Sequence, residues 1–178
     1  MRKLAVLVLA ATFGTLSFVS PASAAPADSG SGEVRPTLVQ PGQVPKVDGP
    51  TYYFGEGATT GQVGPFVDSL PFNYTFDVSW GLESRRFTTT NGKVCTWLAV
   101  DLTSGSPYAN TLTVKLYEDI SLGSDIQIGS PVPWPYDGQT YHYCWTPVTN
   151  NRTYYFWFGF GSAGNGAYAH GSGTATNS

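Results

Sequence analysis

Charge is scarce in this chain, and positive charge is scarcest. Charged residues make up 12% of its 178 positions, with nine Lys and Arg against twelve Asp and Glu. Beyond the N-terminal Arg2-Lys3, Arg85-Arg86 is the one adjacent basic pair. Nucleic acids and anionic membranes are held by clustered Lys and Arg that offset phosphate charge, so neither is expected as a partner. Histidine is limited to His142 and His170, and cysteine to Cys95 and Cys144. No Gly-x-Ser-x-Gly elbow occurs, and no His or Cys pair stands at ligand spacing. Nucleophilic catalysis and a zinc site therefore lack a sequence signature. No metal or cofactor is expected.

Long apolar runs are missing too, except at the start. Arg2 and Lys3 precede a mostly apolar stretch over residues 4–19, and Ala22-Ser23-Ala24 supplies small residues at a peptidase site. This reads as a bacterial secretory signal peptide, residues 1–24, cleaved after Ala24. Without Arg2 and Lys3, seven basic residues face twelve acidic ones, a net charge of −5. Residues 25–49 are rich in Pro, Gly and Ser and carry few large apolar side chains. Such a segment buries too little surface to offset its ordering entropy and reads as a flexible leader. The folded domain is then expected over residues 50–178, and as a monomer.

Helical periodicity is absent from that domain. Apolar residues alternate at period two between closely spaced Gly and Pro. The expectation is an all-β, single-domain antiparallel β-sandwich, either a jelly roll or an immunoglobulin-like Greek key. Residues 72–80 form the clearest strand, with Phe72, Tyr74, Phe76, Val78 and Trp80 on its buried face. Asn91-Gly92 suits a two-residue hairpin turn between strands at 86–90 and 93–103. Strands are also expected at 111–117 and, shorter, at 125–129. Residues 141–161 hold nine aromatic rings and read as a hairpin of 141–146 with 153–160. Residues 168–176 alternate weakly, as an edge strand would.

Two cysteines in an exported chain predict one disulfide, Cys95–Cys144. In strands 94–102 and 141–146 the face without cysteine is the more apolar, so both cysteines should point outward from neighbouring strands of one sheet. Setting Cys95 opposite Cys144 sets Trp97 opposite His142. Extending the register through both hairpins predicts one outer row of Arg86, Trp97, His142 and Trp157, with Tyr155 adjacent. Arg86 would meet Trp97 in a cation–π contact.

That row is the first candidate site, since flat exposed aromatics suit sugar rings or a protein partner. The leader or a long loop could equally cover it as a third layer. A second candidate is the Pro-rich stretch 131–138, where Trp134 and Tyr136 could be displayed on a stiff loop. His142 and His170 offer the only histidine chemistry. Asp101, Glu118, Asp119, Asp125 and Asp137 could serve as paired carboxylates or loop calcium ligands, but no spacing specifies either role. The expectation is a secreted, non-catalytic binding module that takes polysaccharide or cell wall through surface aromatics. The alternative is a protein-binding or inhibitor module using 131–138, and a hydrolase ranks last.

Overall fold

The structure is a computed structural model that describes residues 34–55, 67–160 and 166–178. The expected signal peptide, residues 1–24, and residues 25–33 lie outside the described residues. The strands, numbered in chain order, are β1 (Thr37–Leu38), β2 (Thr51–Phe54), β3 (Asp68–Ser69), β4 (Phe72–Val78), β5 (Gly81–Glu83) and β6 (Phe87–Thr88). They continue with β7 (Val94–Ser104), β8 (Leu112–Glu118), β9 (Ile126–Trp134), β10 (Asp137–Trp145), β11 (Thr153–Gly159) and β12 (Tyr168–Thr176). No helix occurs among the described residues.

Two sheets pack face to face. Sheet I runs β1-β10-β7-β12-β4-β2, and sheet II runs β3-β6-β11-β8-β9 with β5 also paired to β11. Pairing is antiparallel except for β2 with β4 and β3 with β6 at the sheet edges. The pairs β8–β9, β7–β10, β5/β6–β11 and β4–β12 nest one within the next. A two-stranded ribbon folded over in this way, with each strand of the main path crossing to the other sheet from its flanking ribbon pair, is a jelly roll rather than an immunoglobulin-like key.

The nesting overturns both expected hairpins. β6 lies in sheet II and β7 in sheet I, so Asn91-Gly92 turns a corner between sheets. β10 and β11 are likewise in different sheets. The two corners lie against each other: the Val148 N–H donates to Gly92 O at 3.0 Å and the Asn151 N–H to Thr89 O at 2.9 Å. Gly92 still supplies a positive φ of 72°, so the turn chemistry is present but joins layers.

The core is aromatic. Phe72, Tyr74 and Phe76 from β4 meet Phe156 and Phe158 from β11, with the Phe76 and Phe158 rings stacked at 4.3 Å between centroids. Trp80, expected in this row, stands in the turn after β4 and is 61% exposed. β12 is a central strand of sheet I, flanked by β7 and β4, rather than an edge. Its inward residues are Ala169, Gly171, Gly173 and Ala175, and the big β4 rings fill the space above them. A Cβ at Gly171 would run into the Phe76 ring, and one at Gly173 would come within 2.7 Å of the Tyr74 ring.

The stretch 131–138 is no displayed loop. β9 runs through Pro131 and Pro133 at the edge of sheet II, where a missing N–H faces no partner strand. Residues 34–49, expected as flexible leader, belong to the folded unit. Thr37 and Leu38 pair with His142 and Tyr141 of β10, and Val34 packs against the core.

Candidate functional site

The disulfide is present and joins directly opposed residues. Cys95 faces Cys144 across β7 and β10 with Cα atoms 4.0 Å apart. Val94, Leu98 and Val100 point into the core, so the alternation puts both cysteines on the other face of the sheet, where Cys95 is nonetheless fully buried. Trp97 falls opposite His142. Their rings stack at 4.1 Å between centroids with an interplanar angle of 28°. His142 Nε2 stands 3.1 Å from Cys144 Sγ. Burial, and then the charge of Lys93, lowers the His142 pKa, so the fold favours the neutral ring.

The rest of the expected row is on the other side of the molecule. Arg86, Tyr155 and Trp157 belong to the outer face of sheet II, because β11 crosses layers after β10. Tyr155 is buried beneath Arg86, whose guanidinium lies 4.2 Å from the ring centre. Arg86 pairs with Glu83 at 2.9 Å and Asp119 at 3.1 Å, while the Tyr155 hydroxyl donates to Asp125 at 2.7 Å. Burial, with the hydrogen bond to Asp125, pushes the Tyr155 pKa up. This network holds the Arg86 guanidinium over Tyr155 on sheet II, so the expected contact with Trp97 is not made. Trp157 is half-buried beneath Lys115, whose ammonium lies 4.7 Å from the ring centre. Trp134 is fully buried, and its indole N–H donates to Leu98 O at 2.9 Å. Tyr136 is half-buried, with its hydroxyl on Ala109 O at 3.1 Å.

Trp97 keeps a different setting. It lies half-buried in a groove of about 390 Å3 on the outer face of sheet I. Register places two rows of outward residues there. One runs Thr51, Asn73, Thr174, Trp97; the other runs Tyr53, Thr75, Ser172, Ala99, Thr140. Thr174 and Asn73 bond each other at 2.9 Å. Among the described residues, the hydroxyls of Thr51, Thr75, Thr140 and Ser172 and the Trp97 indole N–H have no protein partner. These polar residues carry no site signal in the sequence, because alternation in 72–80 and 168–176 identifies an outward face without saying which strands share it.

Residues 39–50 wall the groove. They link β1 at one edge of sheet I to β2 at the other, crossing its outer face. The Val39 N–H donates to Thr140 O at 2.9 Å near the start of this strap. The Asn73 side chain donates to Val47 O at 3.1 Å near its end. Between them Val44 lines the groove with Trp97. The leader thus forms a partial third layer.

No protein-family model and no curated protein sequence matches the chain.

Two other clusters have chemical interest. Cys95 Sγ, Cys144 Sγ and His142 Nε2 lie within 4.8 Å of one another. The sulfurs are bonded to each other, however, and metal binding needs thiolates. His170 Nδ1 is 3.0 Å from Asp77 Oδ1, and the Tyr53 hydroxyl donates to the other Asp77 oxygen at 2.8 Å. An Asp-oriented imidazole is part of a hydrolytic triad. Its side chain is 43% exposed and lies outside the groove lining. Among the described residues, the nearby Ser172 hydroxyl makes no hydrogen bond to it. Among those residues, no helix is long and apolar enough to cross a membrane.

Proposed function

We propose that this protein is an exported, non-catalytic binding module that holds a polysaccharide chain against the outer face of sheet I. One observation carries the reading: a half-buried tryptophan stands in a groove whose floor presents several hydroxyls that have no protein partner among the described residues. Sugars offer an apolar ring face and a rim of hydroxyls. The groove offers the matching pair, an aromatic surface for stacking and small polar groups for hydrogen bonds. Polar groups already solvated in the free protein can exchange water for ligand at little cost. The N-terminal signal pattern and the disulfide both fit an oxidising, extracellular setting. Burial of Trp134 weighs against the protein-binding reading, which needs that ring displayed.

Affinity electrophoresis through gels carrying polysaccharide tests this reading. Trp97→Ala should lose about 2 kcal/mol of binding, roughly thirtyfold in Kd, as for a central aromatic anchor. Trp157→Ala, on the opposite face, should run like the parent protein. Equal retardation of Trp97→Ala and the parent would remove the groove from consideration.

A further inference from the structure

Among the described residues, the groove has no charged side chain in its lining. Charge begins in the next row of sheet I. There His170 stands opposite Asp77 on β4 and Asp101 on β7, and Asp101 in turn faces Asp137 on β10. Adjacent same-face rows of a sheet are separated by two residues, roughly 7 Å. That is within a Debye length at physiological salt, ~8 Å, so a ligand in the groove feels these carboxylates. On the cation side, Lys93 is close enough to lower the His142 pKa. With the exposed Lys46 and Asp48 of the strap counted, two ammoniums stand against four carboxylates, and His170 lies half-exposed between two of them, so among the described residues this rim is net negative.

Two aromatic rings flank the groove on the outer face of sheet I, one within its lining and one beyond it. Trp97 on β7 is one, stacked on His142. Tyr53 on the edge strand β2 is the other, 37% exposed with its hydroxyl held by Asp77. Three strand spacings separate β7 from β2, roughly 14 Å. A single sugar ring cannot touch both, and an extended chain of several can.

Resting on the reading of this groove as a glycan site, we infer that it takes an uncharged glycan chain spanning Tyr53 to Trp97. The carboxylate row of Asp77, Asp101 and Asp137 turns polyanionic glycans away. A uronate, sulfate or phosphate on a bound chain would lie within about a Debye length of that row. Like charges placed together at a contact suppress the wrong partner more than they affect the right one.

Matched polymer pairs that differ only in charge test the inference. Affinity electrophoresis of the intact protein is run with polygalacturonate and its carboxyl-reduced form, and with carboxymethylcellulose and hydroxyethylcellulose. Glycol chitin and a mannan are added as further neutral polymers. Among polymers that retard the protein, neutral ones should bind at least about tenfold tighter than anionic ones at low salt. Asp77→Asn/Asp101→Asn should narrow that gap, as should raised salt in the parent protein. Tyr53→Ala should weaken binding of long neutral oligomers more than of disaccharides. If an anionic polymer binds tighter than its neutral counterpart and Trp97→Ala abolishes it, the selectivity is wrong while the glycan site stands. If no polymer in the set retards the protein, the glycan reading and this inference fall together.

Discussion

His142 is held on three sides: its ring lies on Trp97, its Nε2 approaches the Cys144 sulfur, and Lys93 acts on it through space. A charged imidazole would lose solvation in this position and feel a like charge, so its pKa falls below the ordinary 6.5. The sign of the consequence follows from proton counting. Below pH 6.5 the unfolded chain takes up a proton at this residue that the folded chain still refuses. Stability therefore falls as pH drops from about 6.5 to the lower folded pKa, and this residue adds no further loss below that point. Urea unfolding midpoints measured across that window should show the decline. His142→Gln, which keeps a flat polar group beside Trp97 without a titrating ring, should flatten it. Parallel declines in both proteins would place the pH dependence elsewhere.

At the scale of elements, the strands were legible in the sequence and their partners were only partly so. Alternation marks 72–78 and 153–159 because each buries one face, and it cannot say which sheet receives that face. Asn91-Gly92 and the polar turn after Trp145 carry hairpin chemistry, but a jelly roll uses such turns as corners between layers. Cys95 and Cys144 succeeded where turns failed, since a disulfide constrains two strands in space rather than in sequence. Closing its 49-residue separation contributes up to about 4 kcal/mol by chain entropy. β12 was misread as an edge for a packing reason: its inward Gly171 and Gly173 look like weak alternation, yet they make room for Phe76 and Tyr74. Gly171→Ala should therefore destabilise the protein by about 1–3 kcal/mol through overpacking. Adding Phe76→Leu should recover part of that loss. Denaturant unfolding of the two single variants and the double variant measures the coupling, and simple additivity would mean that the two side chains do not compete for space.

For the whole molecule, the unexpected feature is that residues 39–50 run over the sandwich instead of away from it. Composition reads this stretch as disordered because it has few large side chains. The few in and just before it are placed where they count: Val34 packs against the core, Leu38 pairs with Tyr141, and Val44 walls the groove. The backbone of this stretch is anchored on β10 and β4, the strands next to each edge of sheet I, through Thr140 and Asn73. A chain that begins at Pro50 keeps the jelly roll but loses β1, the Val34 contact and the cover beside Trp97. Lost burial of a few partly covered apolar side chains corresponds to about 2 kcal/mol. For a domain of this size that is a fall in Tm on the order of 5–10 °C. Trp97 should also become more accessible to acrylamide, seen as quenching that disappears when Trp97→Phe is built into the same truncation. Binding in the groove should weaken as well, because Val44 supplies one of its walls. An unchanged Tm together with unchanged quenching would mean that the segment is the loose leader its composition suggests, and that the groove is bounded by sheet I alone.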